Sequence, residues 1–252
     1  MLADLFPLLS LRVRTPRLEL RLPTDEQLAS LAELAVAGVL DRGALPFATS
    51  GVDVPPAVAA RQVVLHHWRL LGGWRPDDWS LGLVVLLSGE VVGTQGLDAA
   101  RFAVRRQVTT WSWLGREFEG QGIGSEMRAA VLHLAFAGLD AVDAVSGAYA
   151  DNEASRRVSR KLGYRPDGAA DRTTERPGGG PGVRTGGGPD GRTGGGLGVR
   201  TGGRSGRAEG RRMRLCRDDW NPPVRVDMDG LEPCLPLFGI APDRGRPGAQ
   251  GG

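Results

Sequence analysis

Residues 119–128 read Glu-Gly-Gln-Gly-Ile-Gly-Ser-Glu-Met-Arg, and no other stretch constrains the fold as tightly. Gly120, Gly122 and Gly124 alternate, an amphipathic helix follows at once, and a strand-like run at 108–114 precedes them. Strand, glycine loop and helix start together present bare backbone N–H groups to an anion. The first N–H groups of a helix lack internal partners, and the helix dipole favours negative charge there. Glycine removes the Cβ atoms that would hold a phosphate off the backbone. The run therefore predicts a site for a phosphate-bearing ligand, with a plain turn as the alternative. Two nucleotide motifs are excluded. No Lys-Ser/Thr pair follows the glycines, and Ser125 stands where a dinucleotide fingerprint needs its third glycine.

The flanking pattern supplies elements for a sheet. Residues 17–22 alternate with period two, and Pro23 and Thr24 end the run. Thr24 to Gln27 forms a capping box ahead of Leu28, Leu31, Leu34 and Ala35 at helical spacing. Pro55-Pro56 opens a second helix over 57–71, closed by Gly72-Gly73. Strands over 79–87 and 90–97 flank a tight turn at Ser88-Gly89, and 107–114 is the next strand. A helix over 122–137 carries Ile123, Met127, Val131, Leu134 and Ala135 on one stripe. A buried strand over 141–150 follows, then a helix over 152–162 closed by Gly163, then an extended segment from Tyr164. This order predicts a mixed α/β sheet.

Residues 168–210 differ in kind: seventeen of them are glycine, and an eight-residue unit starts at Pro181, Pro189 and Leu197. The unit is too polar and short to bury anything and predicts disorder. Residues 212–217 alternate like a strand again, which puts the insertion inside a hairpin; loop closure cost grows slowly enough to tolerate it. The net charge of +3 resides here, since 168–212 holds nine arginines against four acidic residues. The basic balance is thus no property of the folded part. The repeat also has no aromatic residue for base stacking, so nucleic acid is not an expected partner. Cys216 and Cys234 are too few for a disulfide framework or a four-ligand zinc site, and His66, His67 and His133 lack a matching ligand cluster, so no metal is expected. No membrane span or signal peptide is legible, and the expected location is the cytoplasm.

Downstream of the loop, Asp151-Asn-Glu-Ala-Ser155 and Arg160-Lys-Leu-Gly-Tyr164 bracket the second helix of this half. In this order and spacing the motifs resemble the GNAT superfamily of acetyl-CoA-dependent N-acetyltransferases. The nearest resemblance is to its RimJ/RimL-like branch, whose first strand the opening Arg14-Thr-Pro-Arg-Leu-Glu-Leu-Arg21 also resembles. The resemblance covers residues 12–167 and 211–220. It implies a GNAT-like α/β fold, a mixed and mostly antiparallel sheet flanked by helices. The domain would run over 12–220, interrupted by the insertion at 168–210 and followed by an extended tail over 221–252.

The resemblance further implies acetyl-CoA as acetyl donor and an amine acceptor, either a protein N-terminus or a small molecule. The acyl-pantetheine arm would lie where the strand ending at Trp113-Leu114 splays from the strand over 141–150. The pyrophosphate would sit on the N–H groups of Gln121, Gly122, Ile123, Gly124 and Ser125, with Gly120 shaping the loop. Asn152 matches the family's asparagine that hydrogen-bonds the arm. Ser155, one turn on, would face the same groove, and it is the candidate to protonate the leaving thiolate. Backbone N–H near Leu114 would polarise the carbonyl. Two departures stand out. Glu119 occupies a position where the family has Arg or Gln, and a carboxylate close to a pyrophosphate is repulsive by on the order of 1 kcal/mol if solvated. The strand has no acid near Thr109 and Thr110, where the branch often has a carboxylate, and Ser159 stands where many members have a thiolate-protonating tyrosine. Base and acid are therefore unassigned by motif. A non-catalytic acyl-CoA-binding module and an RNA-associated protein acting through the insertion are the alternatives. Asp77, Asp78 and Asp98 read as solvated loop charges near the acceptor cavity, and Tyr164 as core.

Overall fold

A computed structural model describes residues 1–42, 55–148, 152–169 and 211–241, and its strands form one nine-stranded sheet. The strands are β1 (Arg12–Arg14), β2 (Leu18–Arg21), β3 (Asp78–Leu87), β4 (Glu90–Ala100), β5 (Gln107–Leu114), β6 (Asp143–Ala148), β7 (Arg165–Ala169), β8 (Arg211–Cys216) and β9 (Asp227–Asp229). Their spatial order is β7-β8-β6-β5-β4-β3-β2-β1-β9. Every pair is antiparallel except β5 and β6. Six helices accompany them: α1 (Leu2–Leu5), α2 (Asp25–Arg42), α3 (Pro56–Gly72), α4 (Phe102–Arg105), α5 (Ile123–His133) and α6 (Glu153–Lys161).

Local chemistry sets the ends of these elements. Thr24 and Gln27 exchange backbone and side-chain hydrogen bonds, which closes the capping box at the start of α2. Ser88 and Gly89 both take positive φ, the geometry of a two-residue turn that matches strand twist, and Leu87 lies opposite Glu90. At the end of α6 the Tyr164 N–H reaches the Ser159 carbonyl and the Gly163 N–H reaches that of Arg160. This is a Schellman closure around Gly163 at φ +89°. α5 does not stop where its α-geometry ends. It runs on through a π-turn, Leu134–Gly138, in which the Leu139 N–H bonds the Leu134 carbonyl.

Alternation along the strands divides the sheet into two faces. Leu81, Leu83 and Val85 of β3 and Val108 of β5 join the main core with α5, while Val84 and Leu86 pack with α2 and α3 in a second cluster. The stripe expected on α5 is wider than its sequence suggests. Residues from Glu126 through Leu132 are all buried, because the helix is covered by the sheet beneath and by α6 beside it, while residues 220–231 cover the π-turn that follows. The C-terminal segment, expected as an extended arm, adds β9 to the edge of β1 and then folds into a 3-10 helix over Glu232–Phe238. Its Phe238 is fully buried against Trp74 and Trp79. β7 and β8 pair as a hairpin, as expected from the alternation after the insertion; residues 170–210 between them lie outside the described residues. Among the described residues no helix is long and apolar enough to cross a membrane.

Candidate active site

The two parallel strands part beside the glycine loop. Among the described residues β5 and β6 pair from Gln107↔Asp143 to Thr110↔Ser146 and no further, although β5 continues to Leu114 and β6 to Ala148. On its other edge β5 stays paired with β4 to the end, through Trp113↔Thr94 and Leu114↔Gly93. Residues 111–114 therefore turn one backbone edge into an opening, and Trp113 and Leu114 stand at its far end.

α5 begins beside this opening. Gly120 and Gly122 have φ of +77° and +80°, a region costly for side-chain-bearing residues. A Cβ at Gly120 would meet nothing within 4 Å, so the loop surface is open. The first internal bond of the helix uses the Ser125 N–H, which reaches the Gly122 carbonyl at 3.1 Å. Among the described residues, nothing accepts from the N–H groups of Gly120, Gln121, Gly122, Ile123 and Gly124. The available donor set thus runs from 120 to 124, one residue ahead of the expected set, because Ser125 is already engaged. Five consecutive unpaired N–H groups at a helix start fit a pyrophosphate.

A cation missed by sequence reasoning lies against this loop. The Arg17 side chain donates to the Gln121 carbonyl at 3.3 Å and pairs with Glu126 at 2.6 Å. Glu126, in the first turn of α5, is buried and also accepts from the Thr15 hydroxyl at 2.6 Å. The turn between β1 and β2 is thereby bolted to the N-terminus of α5. Arg17 brings positive charge to the loop in which Glu119 brings negative charge. Its signal in the sequence was weak, since one arginine among 31 carries no spacing information.

Inside the opening sits a second unexpected cation. Arg128 of α5 is 3% exposed. Its Nη1 donates to Ser159 Oγ at 2.9 Å, and its Nη2 donates to Ser112 Oγ at 3.1 Å and to Ser155 Oγ at 3.3 Å. Ser159 reaches Ser146 at 3.3 Å, and Tyr164, buried as expected, meets Thr110 at 3.3 Å. The structure thus brings Ser155 to the opening, opposite Ser112 of β5. Asn152 is the N-cap of α6, its Oδ1 accepting from the Ser155 N–H at 3.0 Å. That leaves its amide NH₂ as the donor for any ligand.

The opposite face of the sheet carries the acid that β5 lacks. Asp98 lies on β4 directly across from Thr109. It is no solvated loop charge: it accepts from the Trp111 indole N–H at 2.9 Å, and burial pushes its pKa up to about 6 against the opposing pull of hydrogen bonds from Trp111 and Ser80. Asp78, Ser80, Asp98, Gln107 and Thr109, contributed by three neighbouring strands, line a pocket of about 200 Å³ with Arg105 at its rim. The Trp111 ring lies in a slot over Gly82 and Gly96, where a Cβ on Gly96 would come within 2.1 Å of the indole. From the sequence, Asp98 falls near the acceptor cavity but reads as solvated. Asp98 is the sole charge in an otherwise uncharged run from Val91 to Ala100.

Comparison with known proteins agrees with this geometry. The family model described as an acetyltransferase (GNAT) domain matches residues 17–165. Among solved structures, Mycobacterium smegmatis RimJ in complex with CoA-disulfide superposes with a TM-score of 0.57 at 15% identity, covering 89% of this chain and 92% of that one. The ribosomal-protein-S5-alanine acetyltransferase from Vibrio fischeri gives 0.54 at 13% identity, covering 84% and 99%. RimL, a ribosomal L7/L12 α-N-protein acetyltransferase, in complex with coenzyme A gives 0.52 at 17%, covering 80% and 95%. At these identities the structural likeness speaks for the fold.

Proposed function

The chain belongs to the GNAT acetyltransferase family, and from that premise we propose that it moves an acetyl group from acetyl-CoA to the α-amino group of a protein N-terminus, as a RimJ/RimL-like enzyme. The observation that carries this reading is the parting of β5 and β6 beside five unpaired loop N–H groups. The neighbours named as RimJ, RimL and ribosomal-protein acetyltransferases support the choice of branch. The transferase domain expected over 12–220 would extend through β9 and Phe238, with 170–210 as a spacer between β7 and β8.

Each group then has a task. Residues 120–124 hold the pyrophosphate, and the Arg17 guanidinium, braced by Glu126, stands against the same loop. The Asn152 amide donates to the pantetheine arm in the opening, and β5 lends its free edge up to Leu114. The pocket across the sheet takes the acceptor, with the Asp98 carboxylate drawing the amine proton through water. The acidity of the acceptor itself makes an α-amine the easier substrate for any base. A base of pKa about 6 removes a proton from an α-ammonium of pKa near 8 at a cost of about 3 kcal/mol, but from a lysine near 10.4 at about 6 kcal/mol.

Thiol release tests the reading. Full-length protein with acetyl-CoA should liberate free CoA with peptides bearing a free N-terminus, and not with the same peptides N-terminally blocked and carrying an internal lysine. Release only with the blocked lysine peptides would reassign the acceptor. If acetyl-CoA fails to raise the melting temperature at all, the donor site is wrong.

A further inference from the structure

Arg128 is a buried guanidinium whose partners, among the described residues, are neutral hydroxyls. A guanidinium stays protonated in proteins, and burying a charge without a counter-charge is strongly unfavourable. Among the described residues no carboxylate compensates it. Glu126, on the same helix, is turned to Arg17. Glu153 of α6 is engaged with Arg156 and Arg160 at the surface. β5 and β6 contribute Thr110, Ser112 and Ser146, all uncharged, and Tyr164 is the titratable group that faces the guanidinium. The cation lies behind two half-buried serines at the opening, Ser112 from β5 and Ser155 from α6, both held by the same Nη2. Ser159, at the position where the resemblance expects a tyrosine, instead gives its space to this guanidinium and accepts its Nη1–H.

We propose that Arg128 is a positioning residue for thiolate departure: by donating to Ser155 and Ser112 it turns their hydroxyl protons into the opening, where they hydrogen-bond the sulfur as it becomes an anion. The proposal rests on the acetyl-transfer reading above. In the step, the acceptor nitrogen forms a bond to the carbonyl carbon, the C–S bond breaks, and its electron pair goes to sulfur. The proton lost by the amine passes through water to the Asp98 carboxylate and from there to solvent, and CoA leaves as a thiolate. No phenol is needed, because the thiolate is stabilised as an anion by a polarised hydroxyl and a buried positive charge.

Equilibrium binding reads this without knowledge of the acceptor. The affinities of CoA and acetyl-CoA for the full-length protein are measured by calorimetry from pH 6.5 to 9.5, and their ratio is followed. Titrations of the shared nucleotide and of the protein cancel in the ratio, so a change reports the thiol of CoA. Lowering the bound thiol's pKa raises the ratio in favour of CoA as pH rises, by about tenfold for each unit of lowering. The wild type should show a rise of about tenfold or more, and Arg128→Met, which keeps length but not charge, a flat ratio. If that variant fails to fold, the Ser112→Ala/Ser155→Ala double variant should flatten the ratio in its place. A flat ratio in the wild type, or a rise that persists in Arg128→Met, overturns the proposal and leaves acetyl-CoA binding intact. Failure of both ligands to bind overturns the acetyl-transfer reading instead.

Discussion

Replacing Asp98 by asparagine should make the protein more stable and less active at the same time. The carboxylate is pushed from 3.8 to about 6 by burial, so above pH 6 the fold carries a desolvated charge that the unfolded chain hydrates. The shift of about 2 units corresponds to about 3 kcal/mol at 1.36 kcal/mol per unit, as an upper bound for a group that is partly exposed. The sign follows from proton binding. A carboxylate with a raised folded pKa costs nothing below the unfolded value, costs more as pH rises from about 4 to 6, and costs its full amount above that. Asparagine keeps an oxygen to accept the Trp111 indole N–H, now held at 2.9 Å, and carries no charge to desolvate. The variant should therefore match the wild type near pH 4 and gain toward pH 7, where about 3 kcal/mol corresponds to roughly 6–12 °C in melting temperature for a chain of this size. Urea titrations at pH 4 and 7 measure the stability side. Thiol release with N-terminal peptides measures the other: wild-type kcat/KM should fall below pH 6 as Asp98 protonates, and the variant should lack that limb and run at least tenfold slower at pH 7. A variant no more stable than wild type at pH 7, or a stability difference that ignores pH, would refute the reasoning that Asp98 is a desolvated base.

Three further outcomes follow from the geometry. Gly96→Ala should destabilise by about 1–3 kcal/mol through overpacking, because its Cβ would collide with the Trp111 ring at 2.1 Å; thermal melts and indole fluorescence check it, and an unperturbed variant would mean the slot is not as tight as described. Arg17→Ala should weaken acetyl-CoA binding and reduce its salt dependence, since it removes the side chain that reaches the Gln121 carbonyl. The same variant leaves Glu126 partly unpaired, so a stability loss of about 1–3 kcal/mol should accompany it. Replacing residues 170–210 by a short turn should leave acetyl-CoA affinity unchanged, because β7 and β8 pair as neighbours without them; a lost salt-dependent RNA shift in that variant would instead support a role for the repeats.

Much of the fold was legible because its signals are local. The Ser88-Gly89 turn, the capping box at Thr24 and Gln27, and the strand over Gln107–Leu114 appear where period and turn chemistry place them. So does the glycine loop, since backbone with φ near +80° reads directly as glycine. Other features depend on residues far apart in the chain. Asp98 reads as solvated until Trp111 and Ser80 are folded over it, and burial rather than residue type makes it a base near pH 6. Arg128 carries no signal of its own in the sequence, and its burial appears only where Ser112 and Ser155 close around it. Arg17 reads as part of a strand entry until Glu126 captures it. The C-terminal segment reads as a proline-kinked arm until β1 offers it an edge and Trp79 a contact for Phe238. The sequence by itself determined where backbone would bend, alternate and lie bare to an anion, because those properties belong to one residue and its near neighbours. Only the tertiary structure decided which charges are desolvated and what they face, because desolvation is a property of everything packed around a group.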